Sequence, residues 1–169
     1  LGNYFLELNA QYCYLPALHS GCWKSQYTSE AIVPIKSRER TMSVKNVGIL
    51  GGGSFGTVIA NIIAHNGHKT LLWMRDSEQV ASLNTFHENV NYLPGYKLHQ
   101  DVVATDDLPT AVRDVDLIFV AVPSSSFREV VRQMKPLLHE DVILVSLTKG
   151  IEAKSFARMS QILAEETNN

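Results

Sequence analysis

Cysteine is scarce. The 169-residue chain has two, Cys13 and Cys22, too few for the disulfide framework of a small secreted fold, and a chain of this length can bury a core without one. One disulfide between them stays open. Zinc is not expected, because Cys13, His19 and Cys22 are irregularly spaced and lack an evident fourth ligand. Long hydrophobic runs are missing as well. The apolar stretches are strand-sized, so no membrane span is expected. Neither sign of charge dominates: 15 Lys and Arg stand against 17 Asp and Glu, a formal net charge of -2. That balance gives no support to a nucleic-acid-binding surface, which is usually strongly basic. The first residues also lack a basic start followed by an apolar stretch, so no secretory signal is read there. A reducing, cytoplasmic setting is the plain reading.

What is present divides the chain in two. Residues 1–41 hold six of the fourteen aromatic residues (Tyr4, Phe5, Tyr12, Tyr14, Trp23 and Tyr27) but show no sustained period of 2 or 3.6. They end in the charged run 35–40. This segment is expected to be a leader or linker outside the core, with a packed extension as the alternative. The folded domain is expected over 42–169, starting near Met42 and Ser43.

From residue 44 onward, strand and helix patterns alternate. Strands are predicted at 44–50, 69–74, 102–105, 117–122 and 142–147. A helix over 54–65 should bury Val58, Ile59, Ile62 and Ile63. Ser77 is the expected cap of a helix to Phe86, with Val80, Leu83 and Phe86 inward. A short helix is expected at 107–112. Ser126 and Glu129 have capping-box spacing before a helix that buries Phe127, Val130, Val131 and Met134, and Pro136 limits it. Ser155 should cap the closing helix, with Phe156, Met159, Ile162 and Leu163 inward. Strands interleaved with helices predict an α/β, Rossmann-like parallel sheet with helices on both faces. Right-handed crossovers then gather the loops 51–56, 74–76, 122–126 and 148–150 along one edge.

The first of these loops carries the strongest signal, G-x-G-x-x-G between a strand and a helix. Gly51 permits the tight exit from the strand, Gly53 lets a pyrophosphate approach the backbone, and Gly56 lets the helix pack closely. Amides around Ser54 and Phe55 would face the anion. A P-loop is not expected, because no G-K-[S/T] follows. Arg75 stands 22 residues past Gly53, at the place of the adenosine ribose. A cation there favours the 2′-phosphate of NADP and an acid the free hydroxyl of NAD; Asp76, next to it, leaves the signal mixed. Pro123 ends a strand and offers a wall to the cofactor. Lys149, before a glycine turn, is suited to hold an anionic substrate or orient a reacting oxygen. His65, His68, His87, His99 and His139 are irregularly spaced and read as solvated or helix-end residues. Asp114 and Asp116 precede a strand, on the side away from these loops.

Taken together, G-G-G-S-F-G-T at 51–57, N-G-H at 66–68, L-W-M-R at 72–75, N-Y-L-P-G at 91–95, V-P-S at 122–124 and T-K-G at 148–150 resemble the cofactor domain of bacterial-type NAD(P)+-dependent glycerol-3-phosphate dehydrogenases. The resemblance covers residues 42–169. It implies hydride transfer between NAD(P)H and dihydroxyacetone phosphate, giving sn-glycerol 3-phosphate for phospholipid synthesis, with NADP the preferred cofactor and NAD the other. Ser54, Phe55 and Arg75 would contact NADPH, Lys149 would lie where cofactor and substrate meet, and 91–95 would border the cleft as a cover. The family's proton-transferring lysine and most substrate-phosphate contacts lie in a C-terminal helical domain, which the sequence to Asn169 is expected not to contain. Weak cofactor binding and little turnover are the corresponding expectation for this chain alone. A homodimer is left open. The alternatives are a related two-domain dehydrogenase for another small metabolite and a non-catalytic dinucleotide-sensing module.

Overall fold

The structure, a computed structural model, describes residues 44–167; the expectations for residues 1–41, with Cys13, His19 and Cys22, lie outside them. Short aliphatic and β-branched runs form β1 (Asn46–Leu50), β2 (Lys69–Trp73), β3 (Val102–Thr105), β4 (Leu117–Val120) and β5 (Ile143–Ser146). All neighbours pair in parallel, in the order β3-β2-β1-β4-β5. Parallel pairing requires crossovers. These are α1 (Ser54–His65), α2 (Ser77–Phe86), α3 (Leu108–Val112) and α4 (Ser124–Met134), while α5 (Met159–Thr167) follows β5. Most strands are slightly shorter than predicted. Their apolar flanks make one further backbone bond, as from Met74 N to Thr105 O and Leu147 N to Val120 O, and then turn.

Alternate residues of each strand feed two cores, one on each face of the sheet. Val47, Ile49 and Leu72 pack with Ala60 and Ala64 of α1 and Leu83 of α2. Leu50, Ile118 and Val120 pack with α3, α4 and α5. This is the predicted doubly wound, Rossmann-like α/β fold. Leu50 lies level with Trp73 and Val120, and Val120 with Ser146, so the strands finish together at one edge. The sheet order reverses between β1 and β4, and the crevice of such folds opens there.

Four local expectations are corrected. On α1 the buried residues are Gly56, Thr57, Ala60, Asn61 and Ala64, whereas Ile62 is 50% exposed and Val58, Ile59 and Ile63 are half-buried. Small side chains four residues apart let the helix backbone come close to the sheet, so the larger aliphatics are displaced to the flanks. Helix α2 is capped by Asp76, not Ser77, and Phe86 is exposed where His87 turns left-handed at φ 47°. Helix α4 starts at Ser124, so Ser126 and Glu129 lie inside it: Ser126 Oγ donates to Pro123 O, and Glu129 accepts from Gln133 Nε2. Its predicted inner face of Phe127, Val130, Val131 and Met134 is fully buried. Helix α5 begins at Met159 rather than after Ser155. Phe156 is exposed with φ 57°, while Met159, Ile162 and Leu163 are buried.

Candidate functional site: a cleft at the strand C-termini

A cleft of about 700 Å³ opens at this edge, within the ~300–1,000 Å³ usual for small-molecule sites. Gly51, Gly53, Ser54, Phe55, Gly56, Arg75, Pro123 and Lys149, the residues singled out from the sequence, all line it. The glycines are dictated by contact. Gly51 has φ 122°, and a Cβ there would lie 2.6 Å from Ala121 O; a Cβ at Gly56 would lie 1.9 Å from Gly51 O. A Cβ at Gly53 would meet nothing within 4 Å, so the missing side chain there leaves room in the cleft itself. No side chain caps α1. Its first amides, without intrahelical partners, and the positive end of its dipole suit a bound anion. These features fit the pyrophosphate of a dinucleotide.

Sequence reasoning missed what holds this turn. Asn89 is 3% exposed, and its Nδ2 donates to Gly52 O at 2.9 Å and to Thr57 Oγ1 at 2.7 Å. Ser54 Oγ donates to Tyr92 O at 2.7 Å, and Tyr92 lines the cleft. Segment 91–95 thus meets the cleft through Tyr92, which Ser54 ties to the glycine turn, and Asn89 adds a second tie just before the segment. Lys97 pairs with Glu88 at 3.2 Å and closes the base of the segment. The Gly95 amide and Lys97 hold the Glu88 carboxyl below its ordinary range. A lone Asn in an aperiodic stretch carries no signal of burial, which is why it escaped notice.

At the β2 end of the cleft, Arg75 is exposed and its guanidinium lies 5.9 Å from the Trp73 ring centroid, within cation–π range. The Trp73 indole donates to Asp106 O at 3.0 Å, which fixes that platform. At the other end, Thr148 Oγ1 lies 2.7 Å from Val122 O and holds the 148–150 turn against the start of α4. Lys149 is exposed and makes no hydrogen bond or ion pair with any described residue.

The sequence model of the family described as "NAD-dependent glycerol-3-phosphate dehydrogenase N-terminus" matches residues 46–169. The chain belongs to this family. A glycerol-3-phosphate dehydrogenase [NAD(P)+] of Teredinibacter turnerae is 54% identical over 123 residues, covering 73% of this chain and 36% of the relative. Its counterpart in Saccharophagus degradans is 52% identical over 120 residues, 71% of this chain and 34% of the relative. The crystal structure of glycerol-3-phosphate dehydrogenase from Coxiella burnetii superposes with a TM-score of 0.70 at 33% identity, covering 75% of this chain and 38% of that one. The chain thus spans about a third of the length of these relatives.

None of the five histidines noted above lines the cleft. His65 and His99 meet edge to face, and His139 Nε2 lies 2.8 Å from Val115 O. Asp116 sits at the opposite sheet edge, where its Oδ2 accepts from the amides of Lys45 and Asn46, and these hold its carboxyl below the ordinary range. Outside the cleft lining, Arg128 of α4 gathers Glu152, Glu165 and Glu166. The bidentate Arg128 contact, with help from Ser155, lowers the Glu152 carboxyl to about 2. No group of three or more potential metal ligands occurs among the described residues, and no helix there is long and apolar enough to cross a membrane.

Proposed function

We propose that this chain is the dinucleotide-binding part of an oxidoreductase that interconverts dihydroxyacetone phosphate and sn-glycerol 3-phosphate with NAD(P)H, acting in the cytoplasm. The observation that carries this reading is the gathering of the glycine turn, the uncapped start of α1, Arg75 and Lys149 around one cleft, in a chain of this family. When bound, a reduced nicotinamide supplies the hydride. The chain's own residues bind and orient. Amides at Ser54 and Phe55, with Gly51, Gly53 and Gly56 as the cradle, hold the pyrophosphate. Arg75 takes the ribose 2′-phosphate and favours NADP over NAD, and Pro123 forms part of the cleft wall. Lys149, with no competing partner among the described residues, neutralises negative charge where substrate meets cofactor.

Calorimetric titration of the chain with NADPH and NADH tests the reading. Saturable binding is expected, with NADPH the tighter ligand. Gly53 has φ -72° and ψ 178°, a conformation valine adopts readily, and its missing Cβ faces open space. Gly53→Val should therefore fold normally and lose binding. Binding of neither dinucleotide, or full binding by Gly53→Val, overturns the assignment. Turnover is assigned to the whole protein, so measurable NADPH oxidation with dihydroxyacetone phosphate by the pure chain would overturn that division.

A further inference from the structure

Arg75 and Asp76 stand side by side where β2 leaves the sheet, and both line the cleft. A carboxylate at this place accepts a hydrogen bond from a free ribose 2′-hydroxyl; a guanidinium pairs with a 2′-phosphate. From sequence the two compete. In the structure they are engaged differently. Asp76 Oδ1 accepts from the backbone amides of Glu78 at 2.9 Å and Gln79 at 3.2 Å, the N-cap of α2. Asp76 Oδ2, the oxygen left over from capping, accepts from Gln79 Nε2 at 3.2 Å. Both oxygens are thus drawn toward α2, whose positive end also offsets their charge. Arg75 has no carboxylate partner among the described residues and rests by the Trp73 ring.

We propose that Gln79 is a specificity-determining residue for the dinucleotide. Its side-chain amide holds the outer oxygen of Asp76 on the helix and away from the ribose, which leaves Arg75 to select the 2′-phosphate. Gln79 acts through Asp76 and is in that sense a positioning residue. The proposal rests on the dinucleotide reading above.

Calorimetric titration of the full chain with NADPH and NADH decides it. Gln79→Met keeps chain length and helix propensity but removes the amide. Freed, Asp76 Oδ2 can accept from a 2′-hydroxyl and repel a 2′-phosphate. The ratio of NADH to NADPH affinity should rise about three- to ten-fold, the scale of one hydrogen bond. In an Asp76→Ser background the hydroxyl still caps α2 but the second oxygen is gone, so adding Gln79→Met should leave the ratio where Asp76→Ser alone puts it. An unchanged ratio in Gln79→Met overturns the proposal. So does an equal rise in the Asp76→Ser background, since Gln79 would then act on the nucleotide directly. Arg75→Ala tests the underlying reading by itself: NADPH affinity should fall about ten-fold or more, with NADH little affected. If Arg75→Ala leaves the ratio unchanged, the 2′-phosphate reading falls whatever Gln79 does, and binding of neither nucleotide removes both. Thermal melts of each variant with each nucleotide give a second readout through ligand stabilisation and report any loss of fold.

Discussion

At the scale of single residues, the site depends on side chains outside its lining. Asn89 is the clearest. Its amide is buried and fills two acceptors, Gly52 O and Thr57 Oγ1, in the wall of the glycine turn. Replacing it with alanine leaves both without that donor in a site that water reaches poorly. We expect Asn89→Ala to destabilise the fold by about 2 kcal/mol, read as a lower denaturant midpoint at unchanged slope. NADPH affinity should also weaken, because the turn loses its brace. Stability equal to wild type would show that water replaces the amide. The outcome proposed for Arg75 and Asp76 belongs to this scale too, since it rests on where the carboxylate oxygens are already engaged.

At the scale of elements, the 148–158 segment is held to α4 at two places. Thr148 bonds to Val122 O before the helix, and Arg128 on the helix takes Glu152. Arg128 also binds Glu165 and Glu166 on α5, so one guanidinium joins the segment and both helices. The Glu152 carboxyl falls from an ordinary value of 4.5 to about 2 on account of Arg128. A depressed folded-state value means the stabilisation is fully present above the ordinary carboxylate value and is lost as the pH falls toward about 2. Melting temperatures between pH 5 and 2.5 should therefore drop more steeply in the wild type than in Glu152→Gln. A residual slope from Glu166, also lowered by Arg132 and Arg128, should persist. Parallel slopes would remove Glu152 from the acid response.

At the scale of the molecule, the two cores share one five-stranded sheet, so damage to either face should be felt across it. Phe127 is among the largest fully buried side chains and lies in the core formed with α3, α4 and α5. Phe127→Ala should cost about 3–5 kcal/mol, a large part of the ~5–15 kcal/mol that separates a typical domain from its unfolded state. Urea unfolding is expected to remain a single transition, with the α1 face lost together with the α4 face. Separate transitions by far-UV circular dichroism and tryptophan fluorescence would show that the faces unfold independently.

The sequence by itself determined the order of elements, the parallel sheet and the loops that meet at its edge. Those follow from local hydrophobic period and from glycines whose backbone positions admit little else. It also named the residues around the cleft, since strand ends in a doubly wound sheet have nowhere else to point. The tertiary structure decided matters that depend on distance across the chain. Helix α1 buries Gly56, Ala60 and Ala64, while Ile59 and Ile63 pack from its flanks, because closeness to a sheet rewards small side chains and hydropathy ranks them low. Capping by Asp76 rather than Ser77 depended on where β2 ended. The braces from Asn89 and Arg128 join residues more than 20 positions from their partners; periodicity is a local signal and carries no information about such pairs.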